Sequence, residues 1–133
     1  MAVNTTLEAW APRMLAVLRI VAALLFLEHG LMKFFAFPAP MGGGGSLPLL
    51  LKVAATLETV GPLLLIVGLF TRPVAFLLSG EMAVAYFMAH APHSFYPVLN
   101  GGEPPILYCF VFLYLFFAGP GAFSVDGMLR KSR

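Results

Sequence analysis

Residues 14–37 read MLAVLRIVAALLFLEHGLMKFFAF, and this stretch decides the fold. A helix needs about 20 mostly apolar residues to cross the ~30 Å hydrocarbon layer of a bilayer. This run is long enough, and its ionisable side chains are confined to Arg19, Glu28, His29 and Lys33. Its apolar stretch is too long, and too interrupted by charge, for a cleaved signal peptide. Three further apolar segments follow, at about 47–70, 73–91 and 106–123. None shows the dyad alternation of ~10-residue barrel strands. The expected fold is therefore all-α, an integral membrane four-helix bundle forming one domain over 1–133.

Composition agrees. The 133 residues are 60% hydrophobic and 11% charged, with a mean hydropathy of +0.92. Soluble domains carry about 25% charged residues. So short a chain cannot hide this much apolar surface from water, so the lipid bilayer is its first partner. The net charge of +2 is small, and no basic-aromatic patch points to nucleic acid. Cys109 stands alone in an apolar run. One cysteine excludes an internal disulfide and a dithiol exchange within one chain.

The basic residues suggest an orientation. Arg13 and Arg19 lie at the start of the first span, Arg72 in the second turn, and Arg130, Lys131 and Arg133 in the tail. Four spans place all of these on one side. The other two loops, 38–46 and 92–103, contain no Lys or Arg. The positive-inside rule puts both termini in the cytoplasm. At the N-terminus, Thr5 and Glu8 have capping-box spacing. This predicts a short interfacial helix carrying Trp10, with Pro12 opening the first span. Gly42–Gly45 reads as a flexible linker. No GK[ST] follows it, so it is not a phosphate loop.

Ionisable groups inside a bilayer cost about 2.5–3.5 kcal/mol on insertion scales and tend to face protein or water. Each of the first three spans carries a carboxylate: Glu28, Glu58 and Glu81. Glu103 stands at the mouth of the fourth. Lys33, Lys52, His90 and His93 fall toward the outer ends. Lys33 and Lys52 break the positive-inside trend. Each fits a partner for a buried carboxylate, or a side chain snorkelling to headgroups. His29 and Lys33, four apart, share a helix face. Glu28 lies about 140° from Lys33, which directs it to another helix. Tyr86, His90 and His93 form one stripe, with Glu81 opposite His90. Asn100-Gly101 favours a tight reversal. Glu28, His29, Lys33, Lys52, Glu58, Glu81, Tyr86, His90, His93, Asn100 and Glu103 make up a candidate polar pocket.

Four readings of these groups compete. They are a structural network fixing helix register, a ligand or quinone pocket with His and Glu as proton partners, a di-metal site, and an ion path. Di-metal bundles use Glu-x-x-His on two helices; the chain has no such motif, and the expected metal set is empty. No GxSxG, HExxH or dinucleotide fingerprint is present, and no catalytic residue is assigned.

Four motifs, in order, then suggest a relationship: R-x8-EHG-x2-KF over 19–34, LE-x2-GPLLLIVGLFTRP over 57–73, HAPHSFYPVLNGGEPPILY over 90–108, and GPGAFSVDGML over 119–129. Together they resemble the DoxX family of small four-span membrane proteins. The resemblance implies a multi-pass protein of the bacterial cytoplasmic membrane. It further implies an accessory or quinone-interacting subunit of a membrane redox or oxidative-stress system. Quinone is the implied cofactor. Soluble redox enzymes or a second membrane subunit are the implied partners, alongside self-association. The non-enzymatic alternative is a partner or assembly protein whose polar network is structural. The chain departs from any dithiol mechanism in having no cysteine pair.

Overall fold

The computed structural model describes residues 2–41 and 47–132. The linker Gly42–Gly45 and Arg133 lie outside the described residues. Six α-helices follow in order: α1 Ala2–Phe35, α2 Leu49–Val67, α3 Thr71–Ala85, α4 Pro97–Asn100, α5 Glu103–Ala118 and α6 Val125–Lys131. A π turn, Tyr86–His90, and a 3₁₀ turn, Ala91–His93, extend α3. The protein is an all-α membrane bundle. Among the described residues, three helical stretches are long and apolar enough to cross a bilayer, and α5 is a shorter apolar helix.

Each long helix buries one stripe. On α1 it is Ala16, Arg19, Ala22, Ala23, Phe26 and Gly30; on α2 it is Ala55, Glu58, Gly61, Pro62 and Leu65. Spacings of three and four place such residues on one face. The opposite faces, including Leu24, Leu25, Leu63, Phe76 and Phe110, are apolar and exposed, as lipid-facing surfaces are. With lipid outside, burial of apolar area does not drive association, so small residues and close packing do. Gly30 shows this. A Cβ there would sit 2.7 Å from the Glu58 carbonyl carbon and oxygen, so α1 and α2 cross backbone to backbone at this point.

α1 packs along α2, α3 packs along α5, and α2 joins the pairs through α3. The shared core is Ala23, Phe26, Leu65, Ala75, Leu78, Met82, Phe112 and Leu115. The α1–α5 seam is the sparsely packed one.

Two boundaries differ from the sequence reading. The N-terminal residues form no separate interfacial helix. α1 runs unbroken through Pro12, and Thr5 lies inside it rather than at its cap. Proline removes one donor from a helix, which is tolerable where water reaches the freed carbonyl, and Pro12 is exposed. The fourth segment is helical over 103–118, not 106–123. Pro104 and Pro105 occupy its first turn, where a missing N–H costs nothing. It stops where Gly119 and Gly121 adopt φ of 82° and 73°.

α2 ends in a Schellman motif. Gly68, at φ 70°, donates to the Leu65 carbonyl at 3.1 Å, and Leu69 donates to that of Leu64 at 2.9 Å. This reversal satisfies carbonyls that a helix end leaves open.

Candidate functional site

The polar residues separate into three groups along the bundle axis. The first is a buried cluster between α1, α2 and α3. Lys33 sits near the end of α1, yet its ammonium turns inward and pairs with the Glu58 carboxylate. Their side chains are only 10% and 5% exposed. The close crossing at Gly30 brings the two helices near enough for this pair. Glu81 of α3 lies within electrostatic reach of both partners and within hydrogen-bonding reach of Glu58. Both Glu81 carboxyl oxygens are buried, and among the described residues no donor group bonds to them.

The second group lies on the α1–α5 seam. Here the Glu28 and His29 side chains are exposed. The His29 ring meets the Phe26 ring at 6.1 Å and the Tyr108 ring edge-on at 6.2 Å. Tyr108 stacks against Phe112 at 5.8 Å with an 18° tilt. The Glu28 carboxylate is within electrostatic reach of the Tyr108 hydroxyl. Glu28 thus forms no ion pair with another helix among the described residues; it stands beside a ring cluster of His29, Tyr108 and the buried Phe26 and Phe112. Tyr108, Phe26 and Phe112 were not legible as site residues. Periodicity reports faces within a helix, not which helix stands opposite.

The third group shapes the loop between α3 and α5. His90 Nδ1 bonds the Asn100 carbonyl at 2.9 Å, and its ring stacks on Tyr86 at 6.5 Å. The Asn100 amide donates to the Ser94 carbonyl at 2.9 Å and the Tyr86 hydroxyl at 3.3 Å. Its carbonyl oxygen accepts from Gly102 N–H at 2.7 Å. Tyr86 and His90 are in contact as expected, but the 3₁₀ turn leaves His93 exposed, so the expected single stripe of three is broken. Lys52 and Glu103 are also exposed and make no ion pair among the described residues. The eleven candidates therefore do not form one pocket.

The end of the bundle near both termini holds a further polar assembly. Arg19 is fully buried and donates to the carbonyls of Pro120, Ala122 and Phe123. Arg72 donates to those of Phe116 and Phe117 at 3.0 and 2.7 Å, capping α5. Asp126 accepts from Phe70 and Thr71 N–H, both at 2.9 Å, capping α3 from the tail. Burial pushes the Asp126 carboxyl up, but the Thr71 and Phe70 N–H groups and the Arg19 charge outweigh it, holding the group below its ordinary value. Charge at helix ends has this sense. A shallow cleft of about 480 Å³ beside α6, bordered by Val67, Phe123 and Met128, also lies at this end.

Sequence comparison follows the same motifs. The DoxX family profile matches residues 14–91. The chain belongs to the DoxX family. An uncharacterized protein of Haemophilus influenzae is 50% identical over 131 residues, spanning 94% of this chain and 97% of the relative. A second from that organism is 33% identical, spanning 88% and 83%. The inner membrane protein YphA of Escherichia coli is 28% identical, spanning 86% and 89%. No solved structure matches. This DoxX chain is a multi-pass protein of the bacterial cytoplasmic membrane. Family membership covers the EHG motif, the Glu58 region and the π turn, and so the helices that build the buried cluster.

Proposed function

We propose that this DoxX protein is a quinone-interacting accessory subunit of a membrane redox or oxidative-stress system. The observation that carries the reading is the exposed Glu28–His29 edge of the α1–α5 seam, with the His29 ring against Tyr108. It combines exposure to the lipid phase, where quinones partition, with an aromatic wall and groups able to hold a carbonyl oxygen. The fit is chemical: the exposed His29 ring and the half-buried Tyr108 ring offer faces for a flat head group, backed by the buried Phe26 and Phe112. His29 and the Tyr108 hydroxyl donate hydrogen bonds, and the Glu28 carboxylate accepts them. A bound quinone supplies two-electron, two-proton redox chemistry. In that setting His29 and Glu28 orient the head group and hold protons beside it, while Phe26 keeps the buried side of the seam dry. Electrons come from a partner, a soluble redox enzyme or a second membrane subunit. We place both termini in the cytoplasm, in line with Arg13, Arg72, Arg130 and Lys131 gathering at one end.

The test is quinone titration of the purified protein in lipid nanodiscs. Wild type binds, Glu28→Gln, His29→Ala and Tyr108→Phe bind more weakly, and Glu103→Gln binds like wild type. Absence of binding by the wild-type protein refutes the reading.

A second reading has its own observation. Lys33 and Glu58 are spent on each other between two helices, which is what a structural network requires. A non-enzymatic assembly or partner protein then needs the seam only as a contact surface. It predicts that the seam substitutions alter complex formation and leave no quinone signal to lose.

A further inference from the structure

We propose that Lys33, Glu58 and Glu81 form an intramembrane proton-binding site holding one exchangeable proton between the two carboxyl groups. The site is separate from the α1–α5 seam and independent of the quinone reading.

Both oxygens of Glu81 are buried and receive no bond from any donor group among the described residues. The neighbour within hydrogen-bonding reach is another carboxyl, that of Glu58. Two ionised carboxylates are both pure acceptors and cannot bond; a carboxyl pair bonds only when one member carries a proton. Charge reaches the same count. One ammonium and two carboxylates leave a net negative charge in a low-dielectric core, whereas one proton makes the cluster neutral. Lys33 pairs directly with Glu58, so the proton belongs on the Glu81 side.

Among the described residues, the surroundings supply no competing charge. α1 contributes Lys33, with Glu28 and His29 directed to the exposed seam. α2 contributes Glu58. On α5, which packs against α3, Ser79 reaches the Cys109 carbonyl at 2.8 Å, so Tyr108 and Cys109 are the titratable side chains nearest that level. Tyr86 and His90, further along α3, are bound into the Asn100 loop. Proton release from Glu81 is a simple dissociation, carboxylic acid to carboxylate plus a proton passed to water. It leaves two buried carboxylates against one ammonium.

Infrared difference spectroscopy reads this directly, because a protonated carboxyl has its own carbonyl stretch. Wild-type protein at neutral pH is expected to show one such band, shifting in D₂O. Glu81→Gln removes it, and Glu28→Gln and Glu103→Gln leave it. Glu58→Gln also removes it, since Glu81 then ionises against Lys33. Lys33→Met leaves two carboxyls without a counterion, and neutrality then requires two protons, so the band grows about twofold. A wild-type protein without the band, or a band that survives both Glu81→Gln and Glu58→Gln, overturns the proposal. The wild-type and Glu28→Gln spectra decide it even where a cluster variant fails to fold. Quinone affinity is expected to be unchanged in Glu81→Gln, so loss of the quinone reading and loss of this one are read in different experiments.

Discussion

Arg19 gives the sharpest stability prediction. By sequence it counts as one more positive residue at the start of the first span, equivalent to Arg13. The structure separates the two. Arg13 is exposed; it reaches the Ala9 carbonyl at 3.5 Å and lies over the Trp10 ring at 5.0 Å, both within its own helix. Arg19 is fully buried and ties α1 to three carbonyls of the 120–123 loop. Replacing it by Met keeps the side-chain stem and strands those acceptors. Each unsatisfied buried group costs about 1–3 kcal/mol. The loop lies near the bilayer surface, where water recovers part of this, so the lower end applies, about 3 kcal/mol for the three. For a domain of this size, that corresponds to a drop of about 10 °C in melting temperature. Arg19→Lys should recover only part, because an ammonium cannot fork to three carbonyls as a guanidinium does. The assay is thermal unfolding in one detergent, with insertion and orientation checked separately. Arg13→Met serves as the control and is expected to melt with the wild type. If Arg19→Met and Arg13→Met unfold together, Arg19 acts only as a topology signal and the reasoning fails.

Three other outcomes are expected. Gly30→Ala should cost about 1–3 kcal/mol by overpacking the α1–α2 crossing, whereas Gly80→Ala, with nothing within 4 Å of its Cβ position, should be neutral or stabilising by up to about 1 kcal/mol; paired melting curves decide. Asp126 should make folding pH-dependent: its carboxyl is held below the ordinary value in the folded chain, so its contribution is complete above that value and is lost as pH falls through the depressed one. Asp126→Asn should flatten the acid limb of a stability–pH curve, and an unchanged limb would contradict the capping role. Asn100→Ala removes three side-chain bonds from the 94–102 loop, and should raise amide hydrogen exchange there while leaving α1 and α2 protected.

The balance between local and tertiary information follows from what each polar group touches. Apolar runs longer than a bilayer is thick announce helices wherever they occur, so the first three long apolar helices and the Asn100-Gly101 reversal were readable residue by residue. Glu28, His29, Lys33, Glu58 and Glu81 stood out for the same reason: hydrocarbon makes an ionisable side chain conspicuous. The use of those groups was not readable. Lys33 fits a snorkelling lysine and a buried partner equally well until Gly30 lets α2 approach closely enough to bring Glu58 within reach. Glu58 and Glu81 lie 23 positions apart with no local signal joining them. Asp126 reads as an ordinary tail residue, and only the fold carries it back to the N-terminus of α3. The π turn shows the opposite case. Its residues, YFMAH, favour α-helix well enough locally; Tyr86 and His90 meet as their four-residue spacing predicts, but the change of helix type leaves His93 exposed.

Segment length and polarity establish that this chain lives in a membrane, that it is helical, and which side chains are costly there. Those conclusions rest on one-dimensional quantities. Tertiary structure alone decided the partnerships: Lys33 with Glu58, Glu81 beside them without a donor, His29 with Tyr108, Arg19 with the 120–123 loop. Pairings between helices depend on crossing points, and a crossing point depends on where two backbones can approach. That is a property of Gly30 and its neighbours in three dimensions, not of any single segment.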